Sequence, residues 1–241
     1  MDSSTSDRII ANLLDQVDEL KLRTAPSSVF AVAGSDPKLF YFPIAARGEL
    51  TRLVAAAGGL KLDNCTDKAE AGDLAAFGSP GSVPVLQHGD LKLSQSLAIE
   101  NYISSIAPGF SNLTPAQRAK DLQFSAIKDD IMTELAKQLF GDKDPEQITK
   151  SLNKWFSVVE GMLPAEGFIN GLSFPTMADL AVLLIVEGFM PYGAAYKIIG
   201  KPDYAASYAK ISALVARVKT VPAVATYLES SSTMKGNPFG F

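Results

Sequence analysis

One cysteine, one histidine and one tryptophan are all this chain has of those residues, and each scarcity removes a class of chemistry. The lone Cys65 excludes an intrachain disulfide framework, and with the lone His88 it leaves no zinc-type cluster. Without a CxxC partner, Cys65 is expected to be a structural thiol, with a mixed-disulfide nucleophile as the alternative; a single thiol also fits a reducing compartment. A basic excess is missing too. Lys and Arg number 22 against 26 Asp and Glu, a net charge of −4, so the chain has no electrostatic footprint for nucleic acid or an anionic membrane surface. No apolar run reaches the roughly 18 residues of a membrane span; Leu180–Val186 is bracketed by Asp179 and Glu187. The first residues lack a basic start with an apolar secretory core, and Asp7, Asp15, Asp18 and Glu19 argue against an Arg-rich presequence. These absences lead to the expectation of a soluble, cytoplasmic protein. Internal repeats and low-complexity segments are also lacking.

What is present is an ordinary globular composition, 47% apolar and 20% charged over 241 residues, enough for one large domain or two small ones. Residues 7–20 place Ile9, Ile10, Leu13, Leu14, Val17 and Leu20 at helical intervals. That helix either packs on its own domain or docks a partner. Residues 24–37 have the Pro, Ser and Gly content of a linker. A first strand is predicted over Lys38–Ile44, a helix over Arg47–Ala57 ending at Gly58-Gly59, and a second strand over Lys61–Asn64. A long irregular connection follows.

The organising stretch is Gly81–Ser105. Ser82–Leu86 reads as a strand with Pro84 at an edge or bend, His88-Gly89-Asp90 as a turn, and Leu91–Leu93 as another strand. Ser94-Gln95-Ser96 then enters a helix, whose free N–H groups and partial positive charge suit a carboxylate. By itself this plan also fits any βα corner. Beyond Ala107-Pro108-Gly109 the pattern is helical throughout. A helix behind Thr114-Pro115 carries apolar residues at 122, 127, 131, 135 and 139. Pro145–Met162 is another helix, with Trp155 in a core or interface role. Thr176 and Asp179 have capping-box spacing before a strongly apolar helix, and Val218–Leu228 closes the pattern with Pro222 at a helix start.

Four motifs together carry a resemblance: Y-F-x-x-x-x-R-x-E-x-x-R from Tyr41 to Arg52, V-P-V-L from Val83, S-Q-S-L-A-I from Ser94, and T-x-A-D from Thr176. They resemble the glutathione transferases, with the sigma class the most similar pattern. The resemblance implies an α/β plus all-α architecture: an N-terminal thioredoxin-like βαβ-ββα domain, then a C-terminal helical-bundle domain. The implied division is 1–36 as an added N-terminal helix and linker, 37–108 as the glutathione-binding domain, and 109–241 as the helical domain. A homodimer is implied, with glutathione as co-substrate and a small hydrophobic electrophile as second substrate.

Residue roles follow from the same resemblance. Tyr41 would donate its hydroxyl to the glutathione sulfur and Arg47 would add positive charge nearby. A donor that prefers thiolate over thiol lowers the thiol pKa, which creates the nucleophile. Ser82, Val83 and a cis Pro84 would present backbone to the cysteinyl unit, while Gln95 and Ser96 would hold the γ-glutamyl group. Asp130, of the pair Asp129-Asp130, would reach the ligand of the neighbouring subunit. Ile44 and Met132 would line the hydrophobic-substrate site. Ala126 stands where a third aspartate completes a magnesium site in sigma members, so no metal is expected. Ala71 and Ala75 replace the Trp and Lys that bind the glycine carboxylate, with Lys68 as a substitute from a shifted register. A scaffold without strong catalysis is the alternative function; a thiol–disulfide oxidoreductase is disfavoured because no cysteine follows the first strand.

Overall fold

The computed structural model describes residues 35–241, so the helix expected over 7–20 and most of the connection after it lie outside the described residues. The described part opens with a four-stranded sheet in the order β2-β1-β3-β4. Strand β1 (Lys38–Phe40) runs parallel to β2 (Asp63–Cys65) and antiparallel to β3 (Val85–His88), which pairs antiparallel with β4 (Leu91–Ser94). Helix α1 (Ala46–Ala57) connects β1 to β2, and α2 (Ser96–Ile106) follows β4. This is the thioredoxin-like βαβ-ββα plan.

Period-two alternation sorts the side chains between the two faces of this sheet. Leu39 and Leu86 join the large core under the helices, whereas Phe40 and Val85 meet Cys65 and Phe77 in a small cluster on the opposite side. Cys65 is therefore a buried thiol, and its Sγ lies 3.3 Å from the carbonyl of Asp67.

All four strands differ in their limits from the sequence expectation, β4 only by extending to Ser94. Strand β1 stops at Phe40 rather than Ile44. Tyr41 still donates its N–H to the Cys65 carbonyl at 3.0 Å, but Pro43 has no N–H and the chain turns into α1. Strand β2 lies two residues later than its predicted start, because Asp63, not Lys61, pairs with Lys38. Strand β3 begins after Pro84 and includes His88, leaving the turn to Gly89-Asp90.

The helical part begins with α3 (Pro115–Leu139), whose Thr114 and Gln117 form a capping box, and α4 (Pro145–Met162), capped by Asp144. The buried stripe of α3 is Phe124, Ile127, Ile131, Leu135 and Leu139. Leu122, expected in that stripe, is exposed. It sits two residues before Phe124, about 200° round a helix of 3.6 residues per turn. Helix α5 (Met177–Glu187) is buried on nearly every side, which explains its apolar run without a membrane. Among the described residues no single helix is long and apolar enough to cross a membrane. A bent segment at Phe189–Gly193 leads to α6 (Ala194–Ile198), then α7 (Ala209–Lys219) and α8 (Pro222–Ser230). Helix α8 starts at Pro222, and the four residues before it belong to α7 and a turn instead of the expected closing helix.

Candidate functional site

Register alone gathers the site. Cys65, Phe40, Val85 and Ser94 form one row across the sheet, so the residues flanking that row share its end. Those residues are Tyr41, Pro84 and Gln95, on adjacent strands about 4.8 Å apart. Three motifs far apart in sequence thereby converge on one edge.

Tyr41 is held there by close packing. Its ring lies against α1 at Gly48, where an added Cβ would come within 2.4 Å of Cδ1; only glycine fits. The Tyr41 hydroxyl accepts the backbone N–H of Arg47 at 3.1 Å, which leaves its own proton available to donate. Burial pushes the Tyr41 pKa up, opposed by the Arg47 hydrogen bond and by the charges of Arg47 and Arg52. Tyr41 is therefore a phenol at neutral pH, a donor and not a base.

Arg47 reaches across to α3. Its Nη1 contacts Asp129 Oδ2 at 2.6 Å and its Nη2 donates to Thr133 Oγ1 at 3.0 Å. Of the two acidic neighbours, Asp129 thus turns inward to Arg47. Asp130 is exposed and makes no ion pair among the described residues.

Sequence reasoning quoted Arg52 and Glu49 as part of a motif but gave them no role. Arg52 is buried and donates to the carbonyls of Phe42 and Ile44, each at 3.0 Å, to Asn64 Oδ1 at 2.8 Å and to Glu49 Oε2 at 2.8 Å. Glu49 Oε1 in turn accepts from Tyr227, Ser231 and Thr233. The pair fixes the loop that follows Tyr41 and fastens it to the far end of the chain.

At the other motif, the Val83-Pro84 bond is cis. Ser82 donates its N–H to Ser79 Oγ at 3.0 Å, and Ser79 Oγ donates to the Ser82 carbonyl at 2.7 Å, so that backbone is braced from within. Gln95 is exposed with φ 72°, a conformation rare for any residue but glycine; such strain concentrates at binding sites. Ser96 is buried at the first position of α2. Ala71 and Ala75 each lie in a short 3₁₀ turn and offer no carboxylate partner. Lys68 places its Nζ 2.7 Å from the Gly81 carbonyl, beside the Ser82 loop.

Ile44 and Met132 are both buried, at 6% and 2% exposure, so neither presents an open apolar surface. Exposed aromatic rings that sequence reasoning missed are Phe42, 5.5 Å from the Tyr41 ring, and Phe140. Gly236 presses on the Pro43 carbonyl, where an added Cβ would be 2.2 Å away, so the last residues run over the loop after Tyr41. They then bring Phe239 and Phe241 against Phe140, with ring centroids 5.2 and 5.8 Å apart. Phe140 lies two helical turns beyond Thr133, about 10 Å along α3. Among the described residues no group of three or more His, Cys, Asp or Glu side chains is placed to hold a metal ion.

The comparisons agree with this geometry. The profile of the glutathione S-transferase N-terminal domain matches residues 37–105, and that of the C-terminal domain matches 129–231. A Dictyostelium discoideum protein that carries the name glutathione S-transferase alpha-2 is 30% identical over 151 residues, 61% of this chain and 72% of that one. The chain belongs to the glutathione S-transferase family. A Caenorhabditis elegans protein named glutathione S-transferase 9 is 32% identical over 161 residues, covering 60% of this chain and 76% of its own length. Among solved structures, rat hPGDS complexed with a quinoline superimposes with a TM-score of 0.66 over 84% of this chain and all of that one, at 20% identity. A Nu-class transferase from Haemonchus contortus gives 0.64 over 83% and 99%, also at 20%. These two likenesses establish the shared fold.

Proposed function

We propose that this chain is a tyrosine-type, sigma-like transferase that activates the thiol of glutathione for attack on, or isomerisation of, a hydrophobic electrophile. The observation that carries the reading is the Tyr41 hydroxyl: its oxygen accepts the Arg47 N–H, which leaves its own proton to donate. A thiolate placed there accepts that proton as a hydrogen bond, and Arg47 adds positive charge. Both favour thiolate over thiol. Val83 and Ser82 offer backbone to the cysteinyl unit, Gln95 and Ser96 receive the γ-glutamyl carboxylate at the start of α2, and Lys68 substitutes as partner for the glycine carboxylate. The electrophile rests against Phe140, Phe239 and Phe241, with Ile44 and Met132 as packing behind. We further read the protein as a cytoplasmic homodimer in which Asp130 meets the partner's ligand.

Ala71 and Ala75 favour a second reading, a scaffold that binds glutathione weakly and turns over little. Tyr41→Phe separates the two. It removes one hydroxyl and keeps the ring, so glutathione binding should change little. A thiol pKa raised by one to two units reduces the thiolate at neutral pH about ten- to a hundredfold. Turnover should fall by somewhat less, since a more basic thiolate is a better nucleophile, and should recover at higher pH. A wild-type protein with no thiolate absorbance and no dependence on Tyr41 belongs to the scaffold reading.

A further inference from the structure

Behind Arg47 lies a chain of charges that none of the motifs contains. Asp129 meets Arg47 through Oδ2, while its Oδ1 is buried without a hydrogen-bond partner and lies 3.4 Å from the ammonium of Lys128. Lys128 and Glu100 are both 0% exposed, and Lys128 Nζ donates to Glu100 Oε1 at 2.6 Å. Glu100 Oε2 accepts the hydroxyl of Ser125. The row Glu100–Lys128–Asp129–Arg47 therefore runs from α2, through α3, to α1. Glu100 stands about one turn into α2 from Ser96, so the row joins the helix that begins at Gln95-Ser96 to the guanidinium beside Tyr41.

Stability does not account for a buried pair at this junction. Replacing such a pair by apolar side chains of similar volume is often neutral or stabilising, whereas removing one partner is strongly destabilising. The surroundings would accept apolar residues: Ile99 and Ile103 flank Glu100, and Phe124 and Ile131 flank Lys128, all fully or almost fully buried. What the pair does supply is a fixed positive charge beside the orphaned oxygen of Asp129. A buried carboxylate oxygen without a hydrogen-bond partner otherwise has nothing to fix its direction.

We propose that Lys128 and Glu100 are positioning residues for the thiolate site: Glu100 holds Lys128, Lys128 keeps Asp129 aligned, and Asp129 holds Arg47 in place. Other groups that face this row are Tyr41 and Thr133 at the Arg47 end, and Tyr192, whose hydroxyl donates to the Lys128 carbonyl at 3.2 Å. Tyr192 stays protonated because burial pushes its pKa well up, so it adds no charge. The inference rests on the reading of Tyr41 and Arg47 as the thiolate-activating pair.

The test is a pH titration of the ultraviolet thiolate absorbance of bound glutathione, in wild type, Tyr41→Phe and the double variant Glu100→Met/Lys128→Met. The double variant removes both charges, net zero, but Lys128 is the nearer one to Asp129. Its thiol pKa should therefore rise by about one unit, a tenfold loss of thiolate below it. kcat should fall in parallel while KM for glutathione holds, a split that simple loosening of the fold would not give. Glu100→Gln should move the pKa in the same direction, because it takes from buried Lys128 the partner that holds it beside Asp129. If the double variant does not fold, Ser125→Ala, which only frees Glu100 Oε2, decides alone: an upward shift supports the proposal and an unchanged or lowered curve overturns it. A folded double variant that titrates like wild type removes this inference and leaves the Tyr41 reading standing. Loss of any Tyr41-dependent thiolate signal in wild type removes both.

Discussion

Gly48 shows how much a single missing carbon can decide. Tyr41 reaches its position because the helix beside it has no Cβ at that point. Gly48→Ala would intrude to 2.4 Å from the ring, and backbone and ring must then part. Overpacking of this kind costs about 1–3 kcal/mol. The hydroxyl would also be drawn away from the Arg47 N–H. The expected outcome is a modest drop in melting temperature with a loss of turnover of at least about tenfold, since one lost unit of thiol pKa suffices for that. Thermal melts and steady-state rates on the same sample check it; full activity in a destabilised variant would show that the contact matters only for packing. At this scale the sequence was partly legible. Motifs single out Tyr41, Arg47, Gln95 and Ser96 as candidates. Lys128 did not, because a lysine at a core-facing helix position reads as an error until Glu100 is found 28 residues away in sequence. The inward turn of Asp129 over Asp130 was equally hidden, since two adjacent carboxylates on a helix differ only in the direction each one faces.

Among the elements, α5 depends on how its start is capped. Thr176 and Asp179 form the capping box expected from their spacing. What spacing could not show is that Asp121 of α3 also caps this helix, accepting from the Ala178 N–H at 3.0 Å and the Thr176 hydroxyl at 2.6 Å. Asp179 accepts the N–H groups of Ile169 and Thr176, each at 2.8 Å, yet burial outweighs both and its pKa is raised from 3.8 to about 6. Asp121 is shifted in the same direction, again by burial first. A carboxyl whose pKa is higher in the folded state binds its proton more tightly there. Its contribution is thus complete below the unfolded pKa of 3.8 and is lost as pH rises through about 6. Relative to pH 7, wild type at pH 4.5 should gain about 2 kcal/mol from this site. Asp179→Asn should lack that gain, which denaturant titrations at the two pH values would reveal; equal pH slopes in the two proteins would place the Asp179 pKa near its ordinary value. Helix existence was readable here from periodicity and Pro positions. The short strands were less so, because three residues carry little pattern and Pro43 and Pro84 trim their ends.

For the molecule as a whole, the order of the sheet and the helical second half follow from a few motifs, whereas the cluster of Phe140, Phe239 and Phe241 does not. Phe140 and Phe239 are about 100 residues apart, and no periodicity links an exposed helix end to a chain terminus. Ile44 and Met132, which the resemblance places at the hydrophobic-substrate site, lie in the core, where apolar residues on inward faces go. Asp130 makes a claim at the largest scale. It is exposed on α3, so if it meets a ligand in a second copy, Asp130→Ala should weaken glutathione binding about tenfold or more while the dimer persists in sedimentation. Unchanged affinity would return it to the solvated carboxylates.

The position of Cys65 has a practical consequence. It lies inside the small cluster with Phe40, Phe77 and Val85, and no second cysteine competes with it. A coloured thiol reagent added to the native protein can therefore modify the chain at one place only, and faster when the sheet edge opens. Its labelling rate in the absence of glutathione becomes a clock for that opening, read in each variant without any engineered probe. Saturating an S-alkylated glutathione, which has no free thiol of its own, should slow the clock in proportion to how tightly it braces the sheet.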